Sequence, residues 1–248
     1  MSIANLQTES SQQRRADLLM SLQRLTQVAT ARGVTLEDKA IDAPFRDEWD
    51  WLTRGVLTLD EASGSVREFP QWPYLEYLTA KRRELYHSPS VHAYEKSRRM
   101  LVTWWMLALY LYDTLTQRNH ANFVGSRKLE ASAYLLGPQR MLGIWERIPL
   151  AVWPNKPGLV AETKFGLGYE RLLCPETGSY VQAIASGADQ LRQYTASNVF
   201  CDEIAFWDRW SDSWSAIRAT IEGGGHVDLA TTPDLGAEAE VIYHPRGD

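Results

Sequence analysis

The passage from Val91 to Tyr112 constrains this chain most. Val91-His-Ala-Tyr-Glu95 reads as a strand, Lys96-Ser-Arg-Arg99 as a tight polar turn, and Met100 to Tyr112 as a strongly apolar run. A helix from Thr103 to about Leu115, apolar on nearly every face, must be enclosed by a sheet and its neighbours; the apolar run is too short to span a membrane. A strand leading through a basic, hydroxyl-bearing turn into a helix is also a way to hold phosphate. Backbone N–H groups and the helix N-terminus face the anion, a basic side chain reaches its oxygens, and Ser or Thr takes Mg²⁺. The usual pattern, G-x-x-x-x-G-K-[ST], is not met: its last Gly, Lys and Ser/Thr fall on Leu101, Val102 and Thr103. Taken alone, the passage reads equally as a polar turn before a core helix.

Strands and helices alternate around it. Residues 1–12 are polar; from Arg14 to Ala31, Leu18, Leu19, Leu22, Leu25 and Ala29 follow helical spacing, and Gly33 is placed to end the helix. The acidic, aromatic stretch 34–68 includes Leu57-Thr-Leu-Asp-Glu-Ala62, read as a short helix. Phe69-Pro-Gln-Trp72-Pro-Tyr74 leads into a helix to about Leu85, and Val91 to Glu95 is expected to be the first central strand. Ala121 to Gly125 is a strand, and Leu129 to Arg147 is helical, interrupted at Gly137-Pro138 and stopped by Pro149. After a loop at Pro154 to Pro157, Tyr169 to Cys174 and Ser179 to Ile184 read as a hairpin joined by Pro175-Glu-Thr-Gly178. Asn198 to Cys201 is a strand, Trp207, Trp210, Trp214, Ile217 and Ile221 share a helix face, and His226 to Ala230 is a last strand after Gly223-Gly-Gly225. The alternation predicts an α/β fold with a mostly parallel central sheet flanked by helices and right-handed crossovers. No repeat or low-complexity linker appears, so one domain at 69–248 is expected behind a helical leader or lid at 1–68.

The 248 residues, 44% hydrophobic, suffice for one such core. A net charge of −5 excludes a chain that is basic throughout. Cys174 and Cys201 lie far apart, which excludes a disulfide scaffold and a zinc ribbon, and no histidine pairs with Cys or carboxylates at ligand spacing. With no apolar signal segment at its N-terminus, the chain reads as soluble and cytosolic.

Asn198-Val-Phe-Cys-Asp202-Glu203 sets two acids at the carboxyl edge of the sheet, where α/β proteins bind ligands. In a nucleotide-hydrolysing site, Asp202 organises Mg²⁺ and Glu203 polarises the attacking water; otherwise the pair caps a helix start. Thr231-Thr232-Pro233 places two hydroxyls at the end of a further strand, suited to sensing a γ-phosphate or to an ordinary turn. Trp72 and Tyr74 are either an apolar staple on the core or a base-stacking shelf beside the loop. Order and spacing join these features: a phosphate turn, about 100 residues, Asp-Glu, about 30 residues, Thr-Thr. That succession describes P-loop NTPases of the additional-strand, catalytic-glutamate type.

On these residues the sequence resembles the ATPase domain of the terminase large subunit, the DNA-packaging motor of tailed bacteriophages. Lys96-Ser-Arg-Arg-Met-Leu-Val-Thr103 is similar to the family's deviant phosphate loop (Walker A), whose basic residue comes early. Gly187-Ala-Asp-Gln-Leu-Arg192-x-x-Thr195 and then Val199-Phe-Cys-Asp-Glu-Ile-Ala-Phe206 are similar to the approach to its acidic motif (Walker B), and Ala230-Thr-Thr-Pro233 to its coupling motif. The resemblance covers roughly residues 69–235. It implies a motor that hydrolyses ATP with Mg²⁺ and translocates double-stranded DNA into a viral procapsid. Lys96, with Ser97, Arg98 and Arg99, would bind phosphate, and Trp72 and Tyr74 would line the ATP site. Thr103 and Asp202 would hold Mg²⁺, Glu203 would be the general base, and Thr231 and Thr232 would couple hydrolysis to movement.

The resemblance further implies that Arg192 is an arginine finger toward a neighbouring subunit's γ-phosphate, with a salt bridge or hairpin cap as the other reading. Implied partners are double-stranded DNA, the procapsid portal and the terminase small subunit, in a homo-oligomeric ring. The implied location is the host cytoplasm and, transiently, the procapsid, with no membrane. A helicase-like DNA-dependent ATPase and a non-hydrolysing relative with a degenerate loop are the alternatives. The loop departs from the pattern in lacking its second glycine and the lysine before Thr103. The family's full protein continues into an RNase H-like nuclease domain, for which this chain, ending at Asp248, has no room; nuclease activity is not expected of it.

Overall fold

Period-two alternation on the strands sets the layers. In the strand Asn198–Asp202, Phe200 faces one apolar core while Val199 and Cys201 face a second. The strand His226–Thr231 repeats this, with Ala230 on the first side and Val227 and Leu229 on the other. A strand buried on both faces belongs inside a sheet covered by helices on both sides.

The structure, a computed structural model, describes residues 41–60, 62–85, 90–163, 169–187, 191 and 194–234. The chain divides into two units, Met1–Lys39 and Ala40–Asp248, and every described residue belongs to the second. The helix expected at 14–31 lies outside the described residues. Chain order is α1 (Glu48–Gly55), β1 (Leu57–Asp60), β2 (Ser65–Glu68), α2 (Pro73–Leu85), β3 (Ser90–Glu95), α3 (Val102–Thr116) and β4 (Ala121–Ser126). There follow α4 (Leu129–Leu136), α5 (Met141–Arg147), β5 (Val160–Glu162), β6 (Arg171–Cys174), β7 (Ser179–Ala185), β8 (Asn198–Asp202), a 3₁₀ turn at Ile204–Phe206, α6 (Trp210–Ile221) and β9 (His226–Thr231). The main sheet has seven strands in the order β3-β9-β8-β4-β7-β6-β5. The first five are parallel, and β6 and β5 continue it antiparallel beyond β7. The expected mostly parallel sheet with flanking helices is present, including the hairpin of β6 and β7.

Two expectations change. Leu57–Asp60 is a strand rather than part of a helix, paired with Ser65–Glu68 in a two-stranded hairpin. Gly64, at φ +66, closes the turn, a conformation glycine adopts without steric cost. β3 lies at the margin of the sheet, not at its centre, and pairs with β9 alone among the described strands. Its exposed Val91, Ala93 and Glu95 suit a margin, whereas all six residues of β9 are buried and suit the interior.

Helix α3 is enclosed as its composition demands, with every residue from Trp104 to Leu111 buried. Residues 41–68 contribute to the same core through Phe45, Trp51, Leu52 and Val56. The Trp51 indole N–H donates to the Ala108 carbonyl at 2.9 Å, and that of Trp105 donates to Thr79 Oγ1 at 2.9 Å, so α1 and α2 are both tied to α3. One buried charge secures the margin. Asp228 of β9 accepts from Arg82 Nε and Nη2 at 3.1 and 3.0 Å, from Tyr110 at 3.1 Å and from Tyr94 at 3.3 Å, and meets His92 Nδ1 at 3.1 Å. It thereby joins α2, β3, α3 and β9 at a point below the carboxyl ends of the strands.

Candidate functional site

Register decides which side chains meet. Glu95 is paired with Thr231, and Asp202 with Ala230. The residues just beyond these pairs, Lys96, Glu203 and Thr232, therefore emerge at one level on the carboxyl edge of three parallel strands. The Lys96 ammonium donates to Glu203 Oε1 at 2.6 Å and stands 3.8 Å from Asp202 Oδ1. The other Glu203 oxygen accepts from the Thr232 N–H at 2.9 Å and from its hydroxyl at 2.8 Å. Thr231 serves the turn beside them: its hydroxyl accepts from the Ala205 N–H at 3.1 Å and donates to the Thr232 carbonyl at 2.9 Å. Trp207, which precedes α6, donates its indole N–H to the Asp202 carbonyl at 3.0 Å and so fixes the backbone where the two acids turn out of β8.

The loop of residues 96–101 rises from β3 and returns into α3. The Lys96 N–H donates to the Thr231 carbonyl at 2.9 Å, which roots the loop on β9. Arg99 and Leu101 lie in the left-handed region, at φ +67 and +54. Leu101 thus adopts the backbone that the missing glycine would supply, at a cost of about 1–2 kcal/mol for an L-residue. Tyr74 donates its hydroxyl to the Met100 carbonyl at 2.7 Å and braces the loop from α2.

Thr103, in the first turn of α3, donates to Asp202 Oδ2 at 2.9 Å. Asp202 is buried, and its Oδ1 has no hydrogen-bond partner. Burial pushes its carboxyl up to about 6, with Lys96 acting in the opposite direction. Burial also raises the Glu203 carboxyl, but the hydrogen bonds from Lys96 and Thr232 outweigh it and hold this group below its ordinary value. A carboxylate oxygen that accepts no hydrogen bond, beside a threonine hydroxyl, is an oxygen donor set that fits Mg²⁺, an ion that retains waters and takes the rest of its ligands from phosphate. Among the described residues there is no cluster of three or more His, Cys, Asp or Glu that would hold a metal by protein groups alone.

Two cavities adjoin the loop. The smaller, about 300 Å³, is lined by Lys96, Ser97, Arg99, Thr103 and Asp202 together with Arg140. The larger, about 720 Å³, opens between the β1–β2 hairpin and Trp72, and the two share Arg99, Leu101, Trp104 and Arg140. The structure therefore brings together Lys96, Thr103, Asp202, Glu203, Thr231 and Thr232, with Ser97 and Arg99 on the cavity wall. Arg98 is exposed and lines neither cavity. Trp72 lines the larger one, and its ring lies 5.7 Å from that of Tyr74. Arg192 lies outside the described residues. Sequence reasoning misses Arg140 and the β1–β2 hairpin as cavity walls. The only local sign was the Gly137-Pro138 break that re-aims the chain just before Arg140.

The mostly parallel seven-stranded sheet flanked by helices is a fold this chain shares with a bacteriophage large terminase. The chain superposes on the crystal structure of the HK97 bacteriophage large terminase with a TM-score of 0.61 at 10% identity, covering 79% of this chain and 40% of that one. It thus spans 40% of the length of that protein. The ATPase domain of the Thermus phage P74-26 large terminase matches at 18% identity and a TM-score of 0.43, over 59% of this chain and 61% of that one. A large terminase of a thermophilic bacteriophage in complex with ADP matches at 15% identity and a TM-score of 0.42, over 59% and 34%. No protein-family model matches the sequence, and no curated protein matches it significantly.

Proposed function

We propose that this chain is the ATP-hydrolysing motor domain of a terminase large subunit, driving double-stranded DNA into a procapsid. The observation that carries the reading is the convergence of Lys96, Thr103, Asp202, Glu203 and Thr232 at one sheet edge beside a cavity of about 300 Å³. The position of β9 between β3 and β8 supports membership of the additional-strand, catalytic-glutamate P-loop ATPases. The fold shared with the HK97 large terminase supports the motor.

In this reading Lys96 and Arg99 bind the polyphosphate, with Ser97 and Arg98 beside them. Trp72 offers its face to the base and Tyr74 holds the loop. Thr103 and Asp202 would hold Mg²⁺, which when bound offsets charge on the transferring phosphoryl group. Glu203 is the general base. Lys96 cannot keep its 2.6 Å contact with Glu203 while serving phosphate. When phosphate draws the lysine away, Glu203 loses the donor that lowers its proton affinity most, and becomes the stronger base that the attacking water requires. The Thr232 N–H and hydroxyl keep the carboxylate aimed during that exchange. Thr231 ends, and Thr232 directly follows, the strand that carries the buried Asp228, so a change at Glu203 reaches β9 and the helices tied to it. This is the coupling path.

The remainder of the reading follows the same motor. Residues 69–248 form the ATPase and 1–68 its leader; Arg192 acts across a subunit boundary in a homo-oligomeric ring. The portal, the small subunit and DNA are partners, and the working location is the host cytoplasm and the procapsid. DNA contact would be largely to phosphate and would weaken with salt. The test is hydrolysis of Mg·ATP by the purified chain, with stimulation by procapsids plus DNA. Nucleotide binding without turnover would replace this reading with a non-hydrolysing relative. Stimulation by single-stranded DNA in preference to duplex would replace it with a helicase-like ATPase.

A further inference from the structure

The basic side chain at the start of the loop is already engaged. Lys96 faces Glu203 at 2.6 Å and Asp202 at 3.8 Å, one positive charge against two carboxyl groups. A nucleoside triphosphate brings several more negative charges into the same cavity. Where the usual loop pattern would place a lysine stands Val102, whose side chain is buried. Beyond Lys96 and Arg99, further cationic charge on the cavity wall would offset the added negative charge.

Arg140 is placed to supply it. It stands at the start of α5 and lines both cavities, at the junction between the phosphate loop and the wider space under Trp72. Its guanidinium lies 4.9 Å from the centre of the Trp104 ring and 5.1 Å from that of Tyr134, and its Nη1 donates to the Gln139 carbonyl at 3.3 Å. Aromatic faces attract a guanidinium and limit where it sits, and its planar fork suits two-point contact with phosphate oxygens. Trp104 directly follows Thr103, so the stack is carried by the same helical turn that carries the hydroxyl bound to Asp202. Loop, hydroxyl and guanidinium are in register by construction.

We propose that Arg140 is a phosphate-binding residue of the nucleotide site, holding the polyphosphate where it passes from the loop cavity toward the nucleoside. This rests on the reading of the site as a nucleotide site. The experiment titrates the full chain calorimetrically with the non-hydrolysable Mg·AMP-PNP and, separately, with adenosine. Arg140→Met, which keeps bulk but not charge, is expected to weaken Mg·AMP-PNP binding about tenfold to a hundredfold, as for loss of hydrogen bonds to a charged group, and to leave adenosine binding unchanged. Arg140→Lys is expected to recover only part of the loss, because a lysine neither stacks flat nor forks. Native-like Mg·AMP-PNP binding by Arg140→Met overturns the proposal. So does an equal loss of adenosine binding, which would make Arg140 a prop for Trp104. Failure of the native chain to bind Mg·AMP-PNP instead overturns the nucleotide reading itself. Should Arg140→Met not fold, Arg140→Gln carries the same two titrations.

Discussion

Glu203 combines a left-handed backbone, at φ +54, with a carboxylate bonded through both oxygens. Strain of this kind persists only where surrounding contacts fix it, and at functional sites it is part of how a group is aimed. Glu203→Gln preserves size but cannot take a proton. Turnover should fall by about 10²–10⁴ while calorimetric Mg·ATP binding persists; native turnover in the variant would remove Glu203 from the chemistry. Thr103→Val tests the neighbouring role. It keeps the shape and removes the hydroxyl that donates to Asp202. The Mg²⁺ concentration needed for half-maximal nucleotide binding should rise, and an unchanged requirement would take Thr103 out of the ion's shell. At this scale the residue types and their order are legible in the sequence, because Lys96, Asp202, Glu203 and Thr232 fall at strand ends and Thr103 at a helix start. The backbone that aims them is not. Positive φ is announced by glycine, and here Leu101 and Glu203 adopt it instead.

Among elements, β9 is the member on which the site depends, and it is secured by a charge rather than by apolar contact alone. Burial raises the Asp228 carboxyl, but Arg82 and then His92 outweigh it and hold the group down to about 2, against an ordinary 3.8. The sign follows from the direction of the shift. A depressed carboxylate contributes stability that is whole above the unfolded value and is lost as pH falls through the folded one. Urea midpoints of the native chain should therefore drop between about pH 4 and pH 2 more steeply than those of Asp228→Asn. Near neutral pH, Asp228→Asn should itself cost about 3–5 kcal/mol, since it leaves Arg82 buried without its counter-charge. Parallel acid limbs for the two proteins would show that the pair contributes nothing. Element identity is largely legible from periodicity, since β3, α3, β4, β8 and β9 stand close to where apolar spacing puts them. The misreading at residues 57–60 arises because Leu-Thr-Leu-Asp is short enough to suit either period, and only pairing with Ser65–Glu68 selects the strand. The place of β3 at the margin is a matter of topology, which a local pattern does not carry.

At the scale of the whole molecule, Lys96, Arg67, Arg99 and Arg140 stand on the cavity walls with Glu203 beside Lys96, all from one chain. The long-range contact that brings Arg140 to Trp104 has no local signature beyond the Gly137-Pro138 break, and for that reason the place of this charge is not read from the sequence. In a ring motor, hydrolysis must also be timed between subunits, and the simplest device is a cation that each subunit lends to its neighbour. Arg192 is the candidate, ten residues before Asp202 and in the stretch that leads into β8. An arginine that completes the site only in the transition state is worth about 10³–10⁵ in rate. Each of Arg192→Ala and Glu203→Gln should then abolish the turnover that procapsids and DNA stimulate. Mixed under assembly conditions, the two variants can form one composite site, native Glu203 from one subunit beside native Arg192 from the next, and part of the activity should return. Recovery has to come from the interface, because neither subunit alone carries both groups. Full activity of Arg192→Ala, or no recovery in mixtures of two inactive variants, would place the inter-subunit cation elsewhere.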